Sequence, residues 1–341
     1  MTSTQAAAPL ALRTSAMIAS IAAEGQPTRA APFGHALVEL AAERSELVGL
    51  TADLAKYTDL HIFAQAYPER YYQMGMAEQL LLAAAGGMAK EGLLPFVTSY
   101  AVFATRRGYD FIHQVIAEEH LNVKICCALP GLTTGYGPSH QATDDLAMMR
   151  AVPGLVIVDP CDALDIEQAV RQIAEYEGPV YMRLLRGQVP LVLDRIDGYR
   201  FELGKAKWVR RGGDALVIAS GLLTMRALEA AEDLAKQGIE LAVLHCPTIK
   251  PLDEDTLLEA VAQSPKLVVV AENHSVVGGL GEAVARLVLE AGLQPRKFRL
   301  AALPDAFLDA GALPTLHARY GISRAALAER ITRWLQEGNR T

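Results

Sequence analysis

The chain has 341 residues, enough for two domains, and 51% of them are hydrophobic. A formal net charge of −7 argues against nucleic acid or an anionic membrane as the main partner. The four cysteines include an adjacent pair but no Cys-x-x-Cys spacing, so neither a zinc site nor a disulfide framework is expected. We therefore expect a reducing, cytoplasmic compartment, and no stretch is apolar for long enough to span a membrane.

The N-terminal residues, 1–24, are predicted to be a tail rich in Ala and Ser. They lack a charged start followed by an unbroken apolar core, so a signal peptide is not expected. From about residue 29, apolar runs of strand length alternate with segments of helical periodicity. Extended segments are predicted at 47–51, 61–64, 71–73, 94–98, 123–129, 155–158 and 180–185. Helices are predicted at 33–44, 74–88, 103–119, 143–150 and 162–176, and Thr143 is predicted to cap the fourth of these.

The alternation stops after residue 191 and then restarts. Strands are predicted at 215–219, 240–244 and 267–270, and helices at 225–237, 253–262, 280–291 and 324–335. Because continuous apolar strands alternate with helices, we predict an α/β fold of two domains, each a mostly parallel sheet with helices on both faces. The predicted limits are 25–191 for the first domain, 192–208 for a linker and 209–341 for the second domain.

One acid, Glu78, stands in an apolar run that contains no other charge between Met74 and Met88. A buried carboxylate is costly unless it is protonated, paired or bonded to a ligand. Two explanations fit: an ion pair with an arginine such as Arg70, or a hydrogen bond to a nitrogen heterocycle in a dry site. The small residues at 83–87 would let another backbone approach this helix closely.

A glycine-rich loop at residues 131–141 follows the apolar strand at 123–129 and contains His140. Ligands of open α/β sheets collect at the carboxyl ends of strands, where a histidine can transfer protons or bind a hydroxyl group. A purely structural loop histidine fits the spacing equally well. Gly279-Leu280-Gly281 lacks the third glycine of a dinucleotide loop and is predicted to be a tight turn that opens a helix.

Aromatic and basic side chains form two further candidate groups. Tyr100 and Phe103 either pack in the core or line a site, and Arg107 either lies on a solvated helix face or binds an anion. Arg183 and Arg186 lie at the end of a strand before a glycine, where a guanidinium group suits a phosphate or carboxylate. Arg29 is a weaker candidate of the same kind.

Six motifs, in the same order, resemble the C-terminal half of a transketolase. They are Thr28-Arg29, residues 51–55, the segment from Arg70 to Gln79, residues 98–103, residues 137–141 and residues 178–187. A later segment, Glu272-Asn273-His274-Ser275, resembles the C-terminal domain of that family. The resemblance covers about residues 25–341, and it implies a pyrimidine-binding domain followed by a transketolase C-terminal domain.

The resemblance implies thiamine diphosphate as the cofactor, with its pyrimidine ring packed against Phe103 and Tyr100. Glu78 would bond N1′ of that ring and favour the imino tautomer, whose nitrogen removes the thiazolium C2 proton. A two-carbon unit would then pass from a ketose to an aldose, while the protein supplies orientation and electrostatics. Asp53 would lie near the cofactor.

The same resemblance gives the sugar-binding residues their roles. His140 would contact substrate oxygens or shuttle protons. Arg186, with Arg29 and Arg107, would hold a terminal phosphate or sulfonate group. Two positions depart from the family pattern, because Tyr136 replaces an acid and Leu129 stands where a histidine is expected. These departures point to a changed donor or acceptor, such as a branched or sulfonated sugar phosphate.

The chain contains no Gly-Asp-Gly, the motif that the family uses with a downstream Asn to hold the diphosphate and its Mg2+ ion. The resemblance therefore implies one subunit of a split transketolase, completed by an N-terminal, diphosphate-binding subunit in a two-plus-two heterotetramer. Residues 83–87 would pack at the interface. The alternatives are a deoxyxylulose phosphate synthase-like or 2-oxoacid dehydrogenase β-type subunit, and a non-catalytic regulatory subunit. Intact Glu78 and His140 argue against the last.

Overall fold

A computed structural model describes residues 21–22, 25–264 and 266–337 of the chain. The predicted N-terminal tail, and the question of a signal peptide, therefore lie almost entirely outside the described residues. Within them, no helix is long and apolar enough to cross a membrane.

The first domain combines short strands with amphipathic and buried helices. Its strands are β1 (Thr28–Ala30), β2 (Leu47–Thr51), β3 (Tyr71–Gln73), β4 (Leu94–Tyr100), β5 (Lys124–Ala128), β6 (Val156–Val158), β7 (Val180–Leu184) and β8 (Gln188–Pro190). Its helices are α1 (Pro32–Glu43), α2 (His61–Ala66), α3 (Glu78–Lys90), α4 (Ala101–Arg107), α5 (Asp145–Ala151) and α6 (Ala163–Glu175). A π-helical segment spans Phe111–Ala117.

The second domain repeats the alternation. Its strands are β9 (Lys207–Arg210), β10 (Ala215–Ala219), β11 (Leu241–His245), β12 (Thr248–Lys250), β13 (Val268–Ser275) and β14 (Phe298–Leu303). Its helices are α7 (Gly221–Ala235), α8 (Glu254–Ala262), α9 (Leu280–Glu290), α10 (Leu313–Arg319) and α11 (Arg324–Gln336).

Two mostly parallel sheets organise the molecule. The larger has the strand order β12-β6-β7-β5-β4-β2-β3, and the smaller has the order β14-β13-β10-β11-β9. Only β12 and β9 run antiparallel to their neighbours within these two sheets of the described chain. The predicted two-domain α/β fold is confirmed, whereas the exact domain limits stay a prediction. Strand β12 comes from the second domain but pairs with β6, so the two domains share a sheet.

The strand registers bring several carboxyl ends to one edge of the larger sheet. Thr51 pairs with Thr98, Tyr100 pairs with Ala128, and Ala128 pairs with Leu184. Strands β2, β4, β5 and β7 are buried throughout, because neighbouring strands and helices cover both faces. Loops that leave this edge therefore start from buried, hydrogen-bonded strands.

Three local predictions were wrong. Residues 61–64 form the start of α2 instead of an extended segment, because Phe63 packs into the core from a helical turn. The helix predicted at 103–119 is two segments separated at Gly108, where a Cβ atom would lie 2.1 Å from Leu82. Thr143 does not cap α5; its carbonyl oxygen accepts a hydrogen bond from Ser275, and α5 begins at Asp145.

Candidate active site

The predicted site residues leave the same sheet edge from different elements. Asp53 follows β2, Tyr100 ends β4, His140 lies in the loop after β5, Arg186 follows β7, and Glu78 begins α3. In parallel sheets this edge is where ligands bind. The fold thus collects side chains that lie up to 133 residues apart (53 to 186) in the sequence.

Glu78 is buried at the first turn of α3, with a side chain only 4% exposed. Its Oε1 atom accepts a hydrogen bond from Nη1 of Arg107 at 2.9 Å. The N-terminus of a helix also favours a negative charge. The charge partner is therefore Arg107, not the Arg70 suggested by the sequence. Arg70 instead donates to the carbonyl oxygens of Ala41 and Arg44.

Arg107 connects Glu78 to the aromatic residues. Its guanidinium carbon lies 4.1 Å from the centroid of the Phe103 ring. This cation–π contact and the ion pair with Glu78 hold the guanidinium group, but the side chain is 49% exposed. Arg107 can therefore leave both contacts without unpacking the core.

His140 lies within a ring of aromatic side chains. Its ring centroid is 5.3 Å from that of Phe103, 5.2 Å from that of Tyr136 and 6.2 Å from that of Tyr100. Burial, and then the charge of Arg107, lower the pKa of His140 below its usual value. The imidazole is therefore neutral near pH 7, with one nitrogen that accepts and one that donates.

Two polar groups stand at the rim of this cluster. The Tyr136 hydroxyl oxygen is buried and has no hydrogen-bond partner within the described part of the chain. The Arg186 guanidinium carbon lies 5.9 Å from the ring centroid of Tyr57. Burial raises the pKa of Tyr100, and the positive charge of Arg186 opposes that shift. The Tyr136 hydroxyl group is the one that calls for a ligand, because a buried hydroxyl group without a hydrogen-bond partner costs free energy.

Asp53 is exposed, and its position is fixed by its backbone conformation and by hydrogen bonds to Gln73. Its φ angle of 57° is left-handed, a conformation that Asp tolerates better than most residues. Its N–H group donates to Oε1 of Gln73 at 2.7 Å, and the Gln73 amide donates back to the Asp53 carboxylate at 3.3 Å. This pair fixes the end of β2 beside β3.

Two predicted anion ligands do not join the cluster. The guanidinium group of Arg29 pairs with Glu167 on α6. Arg183 is fully buried and makes a bidentate pair with Asp145, at 2.7 and 2.8 Å, and a further contact with Asp159 at 3.3 Å. Since both carboxylates already neutralise Arg183, it is not available to a phosphate group.

Sequence reasoning missed three residues that contribute to the site. Tyr57 lies in the turn after β2 and faces Arg186. Asn273 and His317 belong to the second domain but bond the loop that carries His140. The motif at 272–275 marked Asn273 as unusual, but no local signal pointed to the loop that it contacts.

Comparison with known proteins decides the family. Residues 25–192 match the family model for the pyrimidine-binding domain of transketolase, and residues 204–327 match the model for its C-terminal domain. A protein of Sinorhizobium fredii, named as an uncharacterised transketolase family protein, is 67% identical over 96% of this chain and 94% of its own length. This chain belongs to the transketolase family. The resemblance seen in the sequence is confirmed.

Proteins similar to this chain include a transketolase subunit, a split gene transketolase and a longer enzyme. A 6-deoxy-6-sulfo-D-fructose transketolase subunit of Clostridium sp. strain MSTE9 is 38% identical over 84% of this chain and 88% of its own length. A solved structure described as a split gene transketolase, an inactive beta4 tetramer, has a TM-score of 0.80 at 38% identity and covers 90% of this chain and 97% of its own. The 1-deoxy-D-xylulose-5-phosphate synthase of Desulforudis audaxviator is 34% identical over 85% of this chain, which spans 46% of that protein.

Transketolase-family enzymes are transferases that depend on thiamine diphosphate, and the described residues fit its pyrimidine ring. The buried Glu78 carboxylate can bond a ring nitrogen, and the Phe103 face can stack on the ring. In the described ranges, no group of three or more His, Cys, Asp or Glu side chains is arranged to hold a metal ion.

Proposed function

We propose that this chain is the pyrimidine-binding subunit of a split transketolase that moves a two-carbon ketol unit from an anionic ketose to an aldose. One observation carries the proposal. A buried carboxylate, Glu78, lies at a helix start and pairs with Arg107, whose guanidinium group lies over the Phe103 ring, and His140 lies against that same ring. A carboxylate, an aromatic platform and a neutral imidazole are the groups that this chemistry requires from the protein.

Bound thiamine diphosphate would supply the nucleophilic carbon that breaks and remakes the carbon–carbon bond. Glu78 would hold a proton between its carboxyl group and a nitrogen of the pyrimidine ring. This bond is strong because Glu78 is shielded from water. Phe103 and Tyr100, whose ring centroids are 5.7 Å apart, would fix the orientation of that ring.

His140 would serve the sugar side of the site. Because its pKa is lowered by burial and by Arg107, it can accept a hydroxyl proton near neutral pH and return it. The free Tyr136 hydroxyl group would donate to a sugar oxygen. Arg186 would bind the terminal anion, a phosphate or a sulfonate. The Clostridium relative named for a sulfonated fructose supports an anionic donor of this kind.

A partner chain would complete the site. This sequence contains no Gly-Asp-Gly, so we assign the diphosphate group and its Mg2+ ion to an N-terminal transketolase subunit, in a two-plus-two assembly. Three apolar side chains close to Glu78 in the sequence are exposed: Tyr72 is 37% exposed, Met76 82% and Leu80 53%. We infer that these side chains form one apolar patch, of the kind that marks protein interfaces. Of residues 83–87 on the same helix, Ala83 and Ala84 are half-buried and Gly87 is exposed, whereas Ala85 and Gly86 are buried within this chain.

Reconstitution tests the proposal. The chain would be mixed with a subunit that carries Gly-Asp-Gly and the downstream Asn, with thiamine diphosphate and Mg2+. Fructose 6-phosphate, xylulose 5-phosphate and 6-deoxy-6-sulfofructose would be offered as donors. We expect transfer to an aldose acceptor, reduced by about 100-fold or more in Glu78→Gln. The matched control is Glu290→Gln, an exposed acid on α9. Equal rates in Glu78→Gln and wild type would contradict the assignment and favour a regulatory subunit.

A second candidate is a deoxyxylulose phosphate synthase-like subunit, favoured by the 34% identity to that enzyme of D. audaxviator. The two candidates differ in donor, because the synthase type decarboxylates pyruvate. Pyruvate consumption by the reconstituted complex, without turnover of any ketose donor, would select this second candidate.

A further inference from the structure

We propose that Asn273 and His317, both in the second domain, are positioning residues that hold the loop carrying His140 in its working place. The importance of that loop rests on the proposed function, whereas the contacts themselves do not. The loop, residues 129–144, belongs to the first domain and joins β5 to α5. It is bonded to the second domain at its start, its middle and its end.

Asn273 holds the start of the loop with both ends of its amide group. Its Oδ1 atom accepts from the N–H group of Leu132 at 2.9 Å, and its Nδ2 atom donates to the carbonyl oxygen of Pro130 at 3.4 Å. A Cβ atom at Gly131, whose φ angle is 57°, would lie 2.1 Å from the Asn273 carbonyl oxygen. The two backbones therefore approach as closely as glycine allows.

His317 holds the same segment from α10. Its Nε2 atom lies 2.7 Å from the carbonyl oxygen of Leu132. Because a carbonyl oxygen only accepts, Nε2 carries the hydrogen and donates it. Burial lowers the pKa of His317, so the neutral imidazole makes this contact at neutral pH. Leu132 is thus bonded at its N–H group by Asn273 and at its carbonyl group by His317.

The middle of the loop is bonded to the segment before α10. The N–H group of Gly311 donates to the carbonyl oxygen of Gly135 at 2.9 Å. Nε2 of Gln141, the residue after His140, donates to the carbonyl oxygen of Asp309 at 3.1 Å. His140 therefore lies between two points where the second domain is attached.

The end of the loop is bonded to the end of β13. The N–H group of Ser275 donates to the carbonyl oxygen of Thr143 at 2.9 Å. His274 donates from Nδ1 to the Ser275 carbonyl oxygen and accepts at Nε2 from the N–H group of Ala147 at 3.3 Å. Residues 273–275 thus bond both sides of the His140 loop.

The entry to the loop explains why it needs such support. Leu129 is buried and has a φ angle of 59°, which is unusual for a bulky residue. Conformations of this kind persist only where surrounding structure enforces them. Release of Leu132 would let the loop relax and move His140 away from the Phe103 ring. Displacements of about 1 Å can cost about 100-fold in rate.

The test compares three variants of the full chain. His317→Leu removes the donor to Leu132, and His317→Gln restores an N–H donor near the position of Nε2. His245→Leu is the matched control, since His245 is also a buried histidine of the second domain but bonds Thr224 and Asp165 instead of the loop. The readouts are the NMR titration of His140, assigned by its loss in His140→Gln, and amide hydrogen exchange over residues 131–141.

We expect His317→Leu to move the pKa of His140 toward about 6.5, the value of an exposed histidine, and to speed amide exchange in the loop by about tenfold or more. His317→Gln should restore both, and His245→Leu should lower the melting temperature without changing either. A His317→Leu protein with wild-type titration and exchange would overturn the proposal. If His317→Leu does not fold, Asn273→Ser takes its place under the same criteria.

These readouts separate the two proposals because they need neither a substrate nor the partner chain. In the reconstituted complex, His317→Leu should also lower kcat while the Kd for thiamine diphosphate stays unchanged. If no donor is turned over by wild type, the proposed function fails while the His140 titration still decides the positioning role. If transfer occurs but His317→Leu leaves the titration, the exchange and kcat unchanged, only the positioning role fails.

Discussion

Nη1 of Arg107 lies 2.9 Å from Oε1 of Glu78, and the same guanidinium group lies over the Phe103 ring. These are the two groups that we assign to the pyrimidine ring of the cofactor. Arg107 thus satisfies the buried carboxylate when the chain stands alone. With half of its side chain exposed, it can turn toward the solvent or a substrate anion when a ring takes its place.

The first prediction concerns this ion pair in the isolated chain. Arg107→Leu leaves the buried Glu78 carboxylate without its partner and should lower the free energy of unfolding by about 2 kcal/mol. Adding Glu78→Gln should recover most of that loss, because no charge then remains to be paired. Urea unfolding of wild type, the two single variants and the double variant forms a complete double-mutant cycle. Strictly additive losses would show that the two residues do not interact.

The second prediction concerns the Tyr136 hydroxyl group. Tyr136→Phe removes a buried hydroxyl that has no partner among the described residues, so stability should stay equal or rise slightly. In the reconstituted complex, kcat/KM for the ketose donor should fall by about tenfold if that hydroxyl group binds the sugar. Tyr67→Phe, in the turn after α2, is the control. An unchanged kcat/KM would remove Tyr136 from the sugar site.

The third prediction concerns the apolar patch formed by Tyr72, Met76 and Leu80. Leu80→Asp places a charge in that patch and should prevent assembly with the partner subunit, because a buried charge is costly. Leu289→Asp, at a 73% exposed position on α9, is the matched control and should assemble normally. Light scattering of the mixed subunits measures the outcome. Equal assembly of both variants would place the interface elsewhere.

The fourth prediction concerns pH and Glu272. This carboxyl group is buried and accepts from the N–H groups of Leu280 and Gly281 at 2.6 and 2.8 Å. Burial is the main cause that raises its pKa from 4.5 to about 7. Between pH 4.5 and about 7, the Glu272 carboxyl group keeps its proton in the folded state and loses it in the unfolded state. Its contribution to the free energy of unfolding is therefore complete below pH 4.5 and declines as the pH rises to about 7.

A neutral replacement isolates that contribution. The difference in free energy of unfolding, wild type minus Glu272→Gln, should fall by roughly 3 kcal/mol between pH 4.5 and 8, at 1.36 kcal/mol for each pKa unit. Urea unfolding at several pH values measures the difference. A difference that rises with pH would show that the folded state favours the ionised carboxylate.

Part of this molecule could be predicted from the sequence. The strands predicted at 94–98 and 123–129 match β4 and β5, whose mostly apolar side chains are buried on both faces. The one charged residue in these strands, Lys124, is buried and donates to the carbonyl oxygens of Tyr176 and Gly178. The order of motifs singled out Glu78, Phe103 and His140 as candidate site residues. In the structure, Arg107 connects Glu78 to the Phe103 ring, and His140 lies against that ring. Because strands alternate with helices along the chain, the segments that carry these residues were expected at one edge of a parallel sheet.

Other features have no local signal. The three-residue strands β1, β8 and β12 are too short to show a period of two, and β12 exists only because a second domain lies beside β6. Arg183 and Arg186 look alike in the sequence, yet Arg183 meets Asp145 and Asp159 in the core. The bond between His317 and Leu132 joins residues 185 positions apart and follows from tertiary packing alone.

We propose that this chain binds only the pyrimidine half of thiamine diphosphate and needs a second chain to complete the site. The most direct measurement is a calorimetric titration of thiamine diphosphate with Mg2+ into this chain, into the diphosphate-binding subunit and into their equimolar mixture. We expect tight binding in the mixture alone, weakened in Glu78→Gln and retained in Glu290→Gln. Tight binding by this chain alone, or equal binding by Glu78→Gln and wild type in the mixture, would contradict the claim.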